Sequence, residues 1–192
     1  NIRQYMLEFA VMPSMRFLWS AGPAAEKDNT VIYNCSFAKL NCVEAFAECL
    51  HILMCGTGFG FSVEEDEVSK LPSIPEIKSG KDIVREVIDD SREGWADSVK
   101  TLMTSLYDGQ NLYFDYSQLR PEGARLSTMG GRSSGPQPLI KLHDFIRETM
   151  HNAQGRKLTS LECHDIANQI AEIVVAGGVR RSSQISLSDL ND

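Results

Sequence analysis

Two short segments place the strongest constraint on the fold of this chain. The first is an apolar, β-prone run, Tyr33-Asn34-Cys35-Ser36-Phe37, and the second is the glycine-rich run Cys55-Gly56-Thr57-Gly58-Phe59-Gly60-Phe61. Residues 43–54 between them have helical spacing. A strand, a helix and a second strand in this order form a right-handed unit with parallel strands. The sequence therefore predicts that Cys35 lies beside the glycines, on one face of one sheet.

The glycines of the second segment stand at alternate positions, 56, 58 and 60. They leave one face of the predicted strand nearly free of side chains, because successive side chains point to opposite faces. Such a face lets a ligand lie against bare backbone, or it lets a helix pack closely. The sequence alone leaves both interpretations open.

The charge of the chain excludes one class of function. A net charge of −7 over 192 residues argues against a nucleic-acid-binding protein, because phosphate neutralisation needs a basic surface. A nucleotide remains compatible with this charge, since a local site can be basic. The sequence contains no apolar run of membrane-spanning length and no signal-peptide pattern, so we expect no membrane partner.

The five cysteines, at positions 35, 42, 49, 55 and 163, form no CxxC pair and fit neither a zinc ribbon nor a disulfide-rich scaffold. We therefore expect reduced thiols, no metal site and a cytoplasmic location. Cys42, Cys49 and Cys55 fall in the helical segment and are expected to be buried structural thiols. Only its neighbours set Cys35 apart.

Periodicity and turn residues predict the remaining elements. A helix is expected over residues 1–12, a loop or short strand over 13–23, a polar loop over 24–30 and a strand over Val31–Phe37. Further on we predict a strand at 57–63, an exposed connection at 64–82, a strand or helix start at 83–88, a helix at 92–107 and a strand at 112–116. The last predicted elements are helices at 139–150 and 160–175, the second with a Thr159/Glu162 capping box, and a strand at 184–187. The alternation of strands and helices indicates an α/β fold with parallel strands.

Two loops, Gly130–Pro136 and Gly177–Ser183, combine glycine, serine and arginine. Backbone amides in such loops can bind a phosphate or another anion. The first pattern also fits an ordinary surface loop. With Cys35, the two loops suggest an anionic ligand near a thiol.

Four motifs together resemble the catalytic subunit of ribonucleotide reductase. They are Tyr33-Asn34-Cys35-Ser36, Cys55-Gly56-Thr57-Gly58-Phe59-Gly60-Phe61-Ser62-Val63-Glu64, Gly131-Arg132-Ser133-Ser134-Gly135-Pro136 and Val175-Ala176-Gly177-Gly178-Val179-Arg180-Arg181-Ser182. Two further motifs, Arg92-Glu93-Gly94-Trp95 and Leu119-Arg120-Pro121-Glu122-Gly123-Ala124, are similar to the adenosylcobalamin-dependent (class II) branch, particularly its triphosphate reductases.

The resemblance implies a fold and a domain organisation. The chain would be the first half of a ten-stranded α/β barrel, with parallel strands and connecting helices. Residues 1–192 would form a single partial domain that includes an effector-site helical segment at about 83–107. The remaining half of the barrel would be its partner.

The resemblance also implies roles for individual residues. Cys35 would be catalytic, as one member of the redox-active thiol pair of an enzyme that converts ribonucleotides to 2′-deoxyribonucleotides by thiyl-radical chemistry. Ser14, Asn34 and Gly58 would contact the substrate. The residues matching the effector-specificity loops are Arg132, Ser133, Ser134, Gly177, Gly178, Arg180 and Arg181.

The implied cofactor is adenosylcobalamin, with most of its contacts outside this chain. The implied partners are a ribonucleotide substrate, a dNTP effector and a thioredoxin-like reductant. One alternative is the large subunit of a class I reductase, which uses a metal-containing partner protein as its radical source. Another alternative is a non-catalytic nucleotide-binding fragment or split-gene half, and the isolated segment is expected to be inactive.

Overall fold

The computed structural model describes residues 2–77, 84–126, 131–174 and 182–191. The chain divides into two compact units, Asn1–Asn34 and Cys35–Asp192. Within the described ranges, no helix combines the length and the apolar character that a membrane crossing requires.

The first unit is built of short helices. They are α1 (Ile2–Leu7), α2 (Met15–Ser20), α3 (Pro23–Lys27) and a 3₁₀ helix (Asn29–Ile32). The helix predicted over residues 1–12 ends early, at Leu7. Phe9 has a φ of 57°, so the backbone leaves the right-handed helical region there.

The loop or strand predicted over residues 13–23 is wrong, because α2 occupies its centre. Ser14 lies at the N-cap, and its Oγ accepts a hydrogen bond from the Phe17 backbone N–H at 3.2 Å. The polar loop predicted over 24–30 is also wrong. Pro23 begins α3, and the Asp28 side chain accepts a hydrogen bond from the Thr30 N–H at 2.9 Å to cap the 3₁₀ helix.

The second unit alternates strands and helices, as the sequence predicts. Its strands are β1 (Cys35–Lys39), β2 (Gly58–Ser62), β3 (Val84–Val87), β4 (Leu112–Asp115) and β5 (Gln184–Leu187). Its helices are α4 (Val43–Met54), α5 (Glu65–Val68), α6 (Arg92–Tyr107), α7 (Gln137–Asn152) and α8 (Ser160–Ile173). β1, β2 and β5 form a three-stranded parallel sheet in the order β1-β2-β5, and β3 and β4 form a separate parallel pair.

The strand predicted over Val31–Phe37 begins only at Cys35 and runs to Lys39. Val31 instead belongs to the 3₁₀ helix and is buried. Its carbonyl oxygen accepts a hydrogen bond from Arg16 Nε at 2.7 Å. This bond occupies a backbone acceptor that a strand would offer to its neighbour.

Helices supply most of the core of the second unit. α4 has the predicted bounds and places Phe46, Leu50 and Leu53 in the core. α8 begins at the predicted capping box: Thr159 Oγ1 accepts from the Glu162 N–H at 3.2 Å, and Glu162 Oε2 accepts from the Thr159 N–H at 2.9 Å. These two caps satisfy backbone N–H groups that the first turn of α8 leaves unpaired.

The helix predicted over residues 92–107 is confirmed as α6. Ser91 is its cap, since its Oγ accepts a hydrogen bond from the Gly94 N–H at 2.9 Å. β3 occupies part of the 83–88 segment, which the sequence left undecided between strand and helix. The exposed connection predicted over 64–82 is wrong in part, because it contains α5 and because five of its residues are buried: Glu67, Val68, Leu71, Ile74 and Ile77. The other residues of 64–77 are exposed, and residues 78–82 lie outside the described residues.

Ile74 ties the 65–77 segment to the turn after α7. Its N–H donates to the Arg156 carbonyl at 2.9 Å, and its own carbonyl accepts from the Gly155 N–H at 2.8 Å. This pairing buries Leu71, Ile74 and Ile77 against the core. The polar residues around them had suggested exposure, but the apolar ones decide the packing.

Candidate active site

The exposed face of the three-stranded sheet carries Cys35. Cys35 and Phe37 of β1, Gly58 and Gly60 of β2, and Ile185 of β5 are register partners that share this face, which we call the open face. Cys35 is exposed, and Phe37 and Ile185 are 55% and 64% exposed. The prediction that Cys35 lies beside the glycines on one face of one sheet is confirmed.

Gly60 leaves the middle of the open face without a side chain. A Cβ atom at this position would lie 3.3 Å from Phe37 Cδ2 and 3.3 Å from Ile185 Cγ2, closer than ordinary van der Waals contact. The two apolar side chains therefore lean toward each other over the Gly60 backbone. Within the described residues, the atoms nearest to such a Cβ belong to Phe37, Ile185 and the Ser36 backbone rather than to a helix.

The opposite face of the sheet is anchored in the core. Phe59 and Phe61 are fully buried there, with ring centroids 6.4 Å apart. The side-chain amide of Gln184 ties β5 to two helices, because its Nε2 donates to the Ala167 carbonyl at 3.1 Å and to Cys49 Sγ at 3.3 Å. The core thus holds β2 and β5, and Cys35 begins the strand that pairs with β2. A backbone held in this way suits a residue whose position matters for chemistry.

The other four cysteines do not share the surroundings of Cys35. Cys49, Cys55 and Cys163 are buried, and burial raises the pKa of the Cys49 thiol and raises that of Cys163 to about 12. The prediction of a buried structural thiol is therefore confirmed for Cys49 and Cys55. It is wrong for Cys42, which is exposed because it lies at the N-cap of α4 rather than on its inner face.

The first unit contains two of the predicted substrate-binding residues. Ser14 Oγ serves as the cap of α2, as described above, and Ser14 is exposed. Asn34 is also exposed and is the last residue of this unit. Their roles as substrate contacts stay predictions.

The residues predicted for the first specificity loop lie in and directly after two antiparallel segments, residues 123–126 and 131–133, which we call the hairpin. Residues 127–130 between these segments lie outside the described residues. The described hydrogen bonds of the hairpin join the Gly123 N–H to the Ser133 carbonyl at 2.9 Å and the Ser133 N–H to the Ala124 carbonyl at 2.8 Å. Arg132 Nη1 donates to the Gly123 carbonyl at 3.0 Å. Arg125 lies directly opposite Arg132 in an antiparallel bridge, and both are exposed. Two like charges at facing positions disfavour each other, and an anion between them would relieve this repulsion.

Ser133 and Ser134 lead from the hairpin into α7. Ser133 Oγ accepts a hydrogen bond from the Gly135 N–H at 3.0 Å, and Ser134 Oγ lies 3.4 Å from the Gly135 carbonyl. The second predicted loop contains Gly177, Gly178, Arg180 and Arg181, and these four residues lie outside the described residues. Within the described ranges, the structure therefore groups Cys35 with Gly58, and Arg132 with the two serines.

Two arginine contacts were not predicted. Arg92 Nη1 donates to Cys55 Sγ at 3.0 Å, and Arg120 Nε donates to Asp90 Oδ2 at 2.7 Å. Both arginines stand in motifs that the sequence analysis singled out. No local pattern names their partners, because each contact joins residues far apart in the chain.

Comparisons with known proteins agree with this architecture. A family model described as "B12-dependent ribonucleotide reductase, insertion domain" matches residues 64–150. An adenosylcobalamin-dependent ribonucleoside-triphosphate reductase of Euglena gracilis is 32% identical over 193 residues, which cover 96% of this chain and 26% of that protein. The corresponding protein of Levilactobacillus brevis is 28% identical over 252 residues, which cover 100% of this chain and 33% of that protein.

A solved structure shows the same relationship in three dimensions. The crystal structure of a B12-dependent (class II) ribonucleotide reductase matches with a TM-score of 0.84 and 25% identity, over 98% of this chain and 34% of that chain. The chain thus spans roughly a quarter to a third of the length of the curated relatives it matches. At the level of this segment, the resemblance noted in the sequence and the predicted fold class, part of a parallel α/β barrel, are confirmed.

Proposed function

We propose, for a chain that corresponds in sequence and in fold to one segment of the B12-dependent ribonucleotide reductases, that the full-length protein reduces ribonucleotides to 2′-deoxyribonucleotides. The observation that carries this proposal is the position of Cys35. Its exposed thiol starts β1 opposite Gly58, on an open face that bare backbone and apolar side chains line. A nucleotide can lie against such a face with its sugar beside the thiol.

The reduction needs two thiols. Replacing the 2′-hydroxyl by hydrogen takes two electrons and two protons, so two thiols become one disulfide and the hydroxyl leaves as water. Cys35 is one member of this pair, and its partner thiol lies outside this chain. Cys49 and Cys163 do not suit the role, because both are buried and burial raises their thiol pKa.

The substrate side of the site is assigned to three residues. Gly58 lets the nucleotide approach the backbone next to Cys35, and Ser14 and Asn34 bind the substrate. A thiol, glycine backbone and two apolar side chains form a set that suits a nucleotide. The proposed cofactor is adenosylcobalamin, and most of its contacts lie outside this chain. When bound, that cofactor supplies the radical chemistry.

The regulatory side is assigned to the two loops. Arg132, Ser133 and Ser134 form the first specificity loop, and the glycine-arginine segment 177–181 forms the second. The facing charges of Arg125 and Arg132 support a dNTP effector as ligand of the hairpin. A thioredoxin-like dithiol protein regenerates the thiols after each turnover. The remaining half of the barrel covers the open face. The free cysteines support a cytoplasmic location.

A reductase assay of the full-length protein tests the proposal. The reaction contains CTP or CDP and a dithiol, with adenosylcobalamin either added or withheld. We expect deoxyribonucleotide only when adenosylcobalamin is present. Product that instead requires a metal-loaded partner protein would identify the class I alternative, and nucleotide binding with no product under either condition would identify the non-catalytic module.

A further inference from the structure

We propose that the outer edge of β3 is a self-association site, where a second copy of this chain adds its own β3 in antiparallel orientation. The contact is centred on Val87 and pairs Arg85 of each copy with Asp89 of the other. The inference goes beyond the proposed function and does not depend on it, because β3 and β4 form a pair separate from the sheet that carries Cys35.

The two edges of the β3–β4 pair differ within the described residues. The outer edge of β4 is occupied, because the Leu112 carbonyl accepts hydrogen bonds from Arg147 Nε at 3.2 Å and from Arg147 Nη2 at 2.9 Å. At the outer edge of β3, Arg85, Glu86 and Val87 are exposed, and none of the described strands pairs there. An unpaired edge of this kind is a template for a further strand.

The backbone geometry determines which residues of β3 can bond to a further strand. In a parallel pair, alternate residues direct both their N–H and their carbonyl to the same neighbour. The Ile88 N–H donates to the Asp115 carbonyl at 3.3 Å, so Ile88 and Glu86 direct these groups to β4. Arg85 and Val87 therefore direct their N–H and carbonyl groups to the outer edge, where a second strand can bond to them.

Charge selects one register for a symmetric antiparallel pair. A two-fold axis through Glu86 would place two carboxylates opposite each other, and an axis through Arg85 would do the same with two guanidinium groups; both arrangements are unfavourable. An axis through Val87 places Val87 opposite its own copy and Arg85 opposite Asp89 of the second copy. Opposite charges then face each other on both sides of an apolar centre, and Val87, which is 62% exposed, is covered.

The side chains that this pairing needs are available. Within the described ranges, neither Arg85 nor Asp89 forms a side-chain hydrogen bond or an ion pair, and both are exposed. The charge of Asp115 in β4 interacts with that of Arg85 without an ion pair, and the Asp115 carboxylate accepts a hydrogen bond from the Ser117 N–H at 2.8 Å. Asp89 is held at the end of β3, because its carbonyl accepts from the Ser91 N–H at 2.8 Å.

The contact is small, so we expect a weak and reversible dimer. β3 has four residues, and a pair of such strands buries far less than the about 1,600 Å² of a standard protein–protein interface. Salt weakens ion pairs between exposed side chains. The dimer should therefore be populated mainly at high protein concentration and low ionic strength.

The first experiment compares charge-reversal variants of the full-length protein by analytical ultracentrifugation at low ionic strength. In Arg85→Glu, carboxylates face each other across the contact, and in Asp89→Arg, guanidinium groups do so. We expect each variant to raise the Kd of the dimer at least about tenfold. An equimolar mixture of the two variants should dimerise again, because every facing pair in the mixed dimer is of opposite charge. Lys141→Glu is the control, because it makes the same change in net charge as Arg85→Glu at an exposed position on α7.

Disulfide trapping tests the register. In the dimer, the Cα atoms of the two Val87 positions would lie about 5.5 Å apart, within the range that a disulfide bridges. We expect oxidation of Val87→Cys to give a covalent dimer in which mass spectrometry identifies a bond between the two introduced thiols. Tyr113→Cys is the control, since Tyr113 is exposed but lies on β4, and the two copies of β4 would be roughly 14 Å or more apart.

Three outcomes would overturn the inference. A full-length protein that stays monomeric at all concentrations and gives no trapped dimer would show that the β3 edge binds no second copy. A dimer that the charge reversals leave unchanged, or that the mixture fails to restore, would be built on another surface. A disulfide from the Val87→Cys thiol to a cysteine of the same polypeptide would show that another segment of the full-length protein covers β3. Reductase activity is measured separately and enters none of these results, so failure of the proposed function stays distinguishable.

Discussion

Cys35 and Gly58 lie opposite each other in the parallel β1–β2 pair, and the hydroxyl of Ser36 donates a hydrogen bond to the Gly58 carbonyl at 3.0 Å. The bond joins the two strands at the end where the thiol stands. Cys35 is exposed, while this bond and the strand pairing hold the backbone next to it in place. This combination suits a residue that must meet a substrate on one side and a second thiol on the other.

Cys35→Ser should abolish multiple turnover of the full-length protein with a dithiol, because serine cannot form the disulfide that completes the reaction. Cys42→Ser is the matched control, since Cys42 is also exposed and serine is a favoured N-cap residue for α4. Steady-state deoxyribonucleotide formation is the measurement. Wild-type turnover by Cys35→Ser, or equal loss in both variants, would contradict the assignment.

The thiols should also separate by reactivity. In the native full-length protein, Cys49 and Cys163 should react with iodoacetamide at least about a hundredfold more slowly than Cys42, because burial raises their pKa and the thiolate is the reactive form. Mass spectrometry of time-resolved alkylation checks this, with urea-unfolded protein as the reference. Rapid native modification of Cys163 would show that its surroundings open far more readily than its burial indicates.

Elements with local signals could be predicted from the sequence. Helices α4 and α6 carry amphipathic spacing, α8 begins at a capping box, and β5 has the predicted bounds. The parallel pairing of β1 with β2 followed from the strand-helix-strand order, and with it the neighbours of Cys35. In these cases, propensity and packing favour the same answer.

The features that the sequence did not predict depend on contacts between residues far apart in the chain. Val31 has high strand propensity, yet its carbonyl is engaged by Arg16, fifteen residues earlier, and the chain around it forms a 3₁₀ helix. The burial of Ile74 depends on backbone bonds to Gly155 and Arg156. The Arg92–Cys55 contact spans 37 residues. A contact between residues so far apart leaves no pattern of residue spacing in the sequence. The motif that contains Arg92 could therefore be recognised, but its contact with Cys55 could not be predicted.

Gly94→Ala should destabilise the protein markedly, because the added Cβ would lie 2.4 Å from the Asp89 carbonyl oxygen and the backbone of the turn would have to shift. We expect a loss of at least about 2 kcal/mol in the free energy of unfolding, as for overpacked sites. Gly155→Ala is the control, since Gly155 has a φ of 81° but no atom within 4 Å of the new Cβ. It should cost only about 1 kcal/mol, the strain of a left-handed backbone on a residue with a Cβ.

Urea unfolding followed by tryptophan fluorescence measures both glycine variants. Trp95 lies next to Gly94 in the chain and reports on this turn. A Gly94→Ala loss no larger than that of Gly155→Ala would mean that the Asp89–Gly94 turn can relax.

His143 is buried in a hydrogen-bond network that fixes its tautomer. Ser98 Oγ donates to the Trp95 carbonyl at 2.7 Å, so it accepts from His143 Nε2, 3.0 Å away. His143 Nδ1 therefore accepts from the Tyr116 hydroxyl at 2.8 Å. Burial, together with the nearby charge of Arg147, lowers the pKa of His143 to about 3.

This network should make stability depend on pH. The pKa of His143 in the folded state lies below its unfolded value of about 6.5, so the unfolded state binds the proton first. Its contribution is complete above about pH 6.5 and is lost as the pH falls toward 3. Between pH 6.5 and 5, where unfolded carboxylates stay charged, the free energy of unfolding should drop by roughly 1.5 kcal/mol. Urea unfolding at several pH values measures this slope.

His143→Gln provides the comparison, because glutamine can donate and accept hydrogen bonds but does not titrate. At pH 8 the difference between variant and wild type gives the cost of the substitution itself, since His143 is neutral in both states. From pH 6.5 to 5 the variant should lose less stability than the wild type, by the amount that His143 contributes. Parallel slopes for the two proteins would show that His143 takes up a proton without leaving the folded state, and that the network of Ser98 and Tyr116 accommodates the imidazolium.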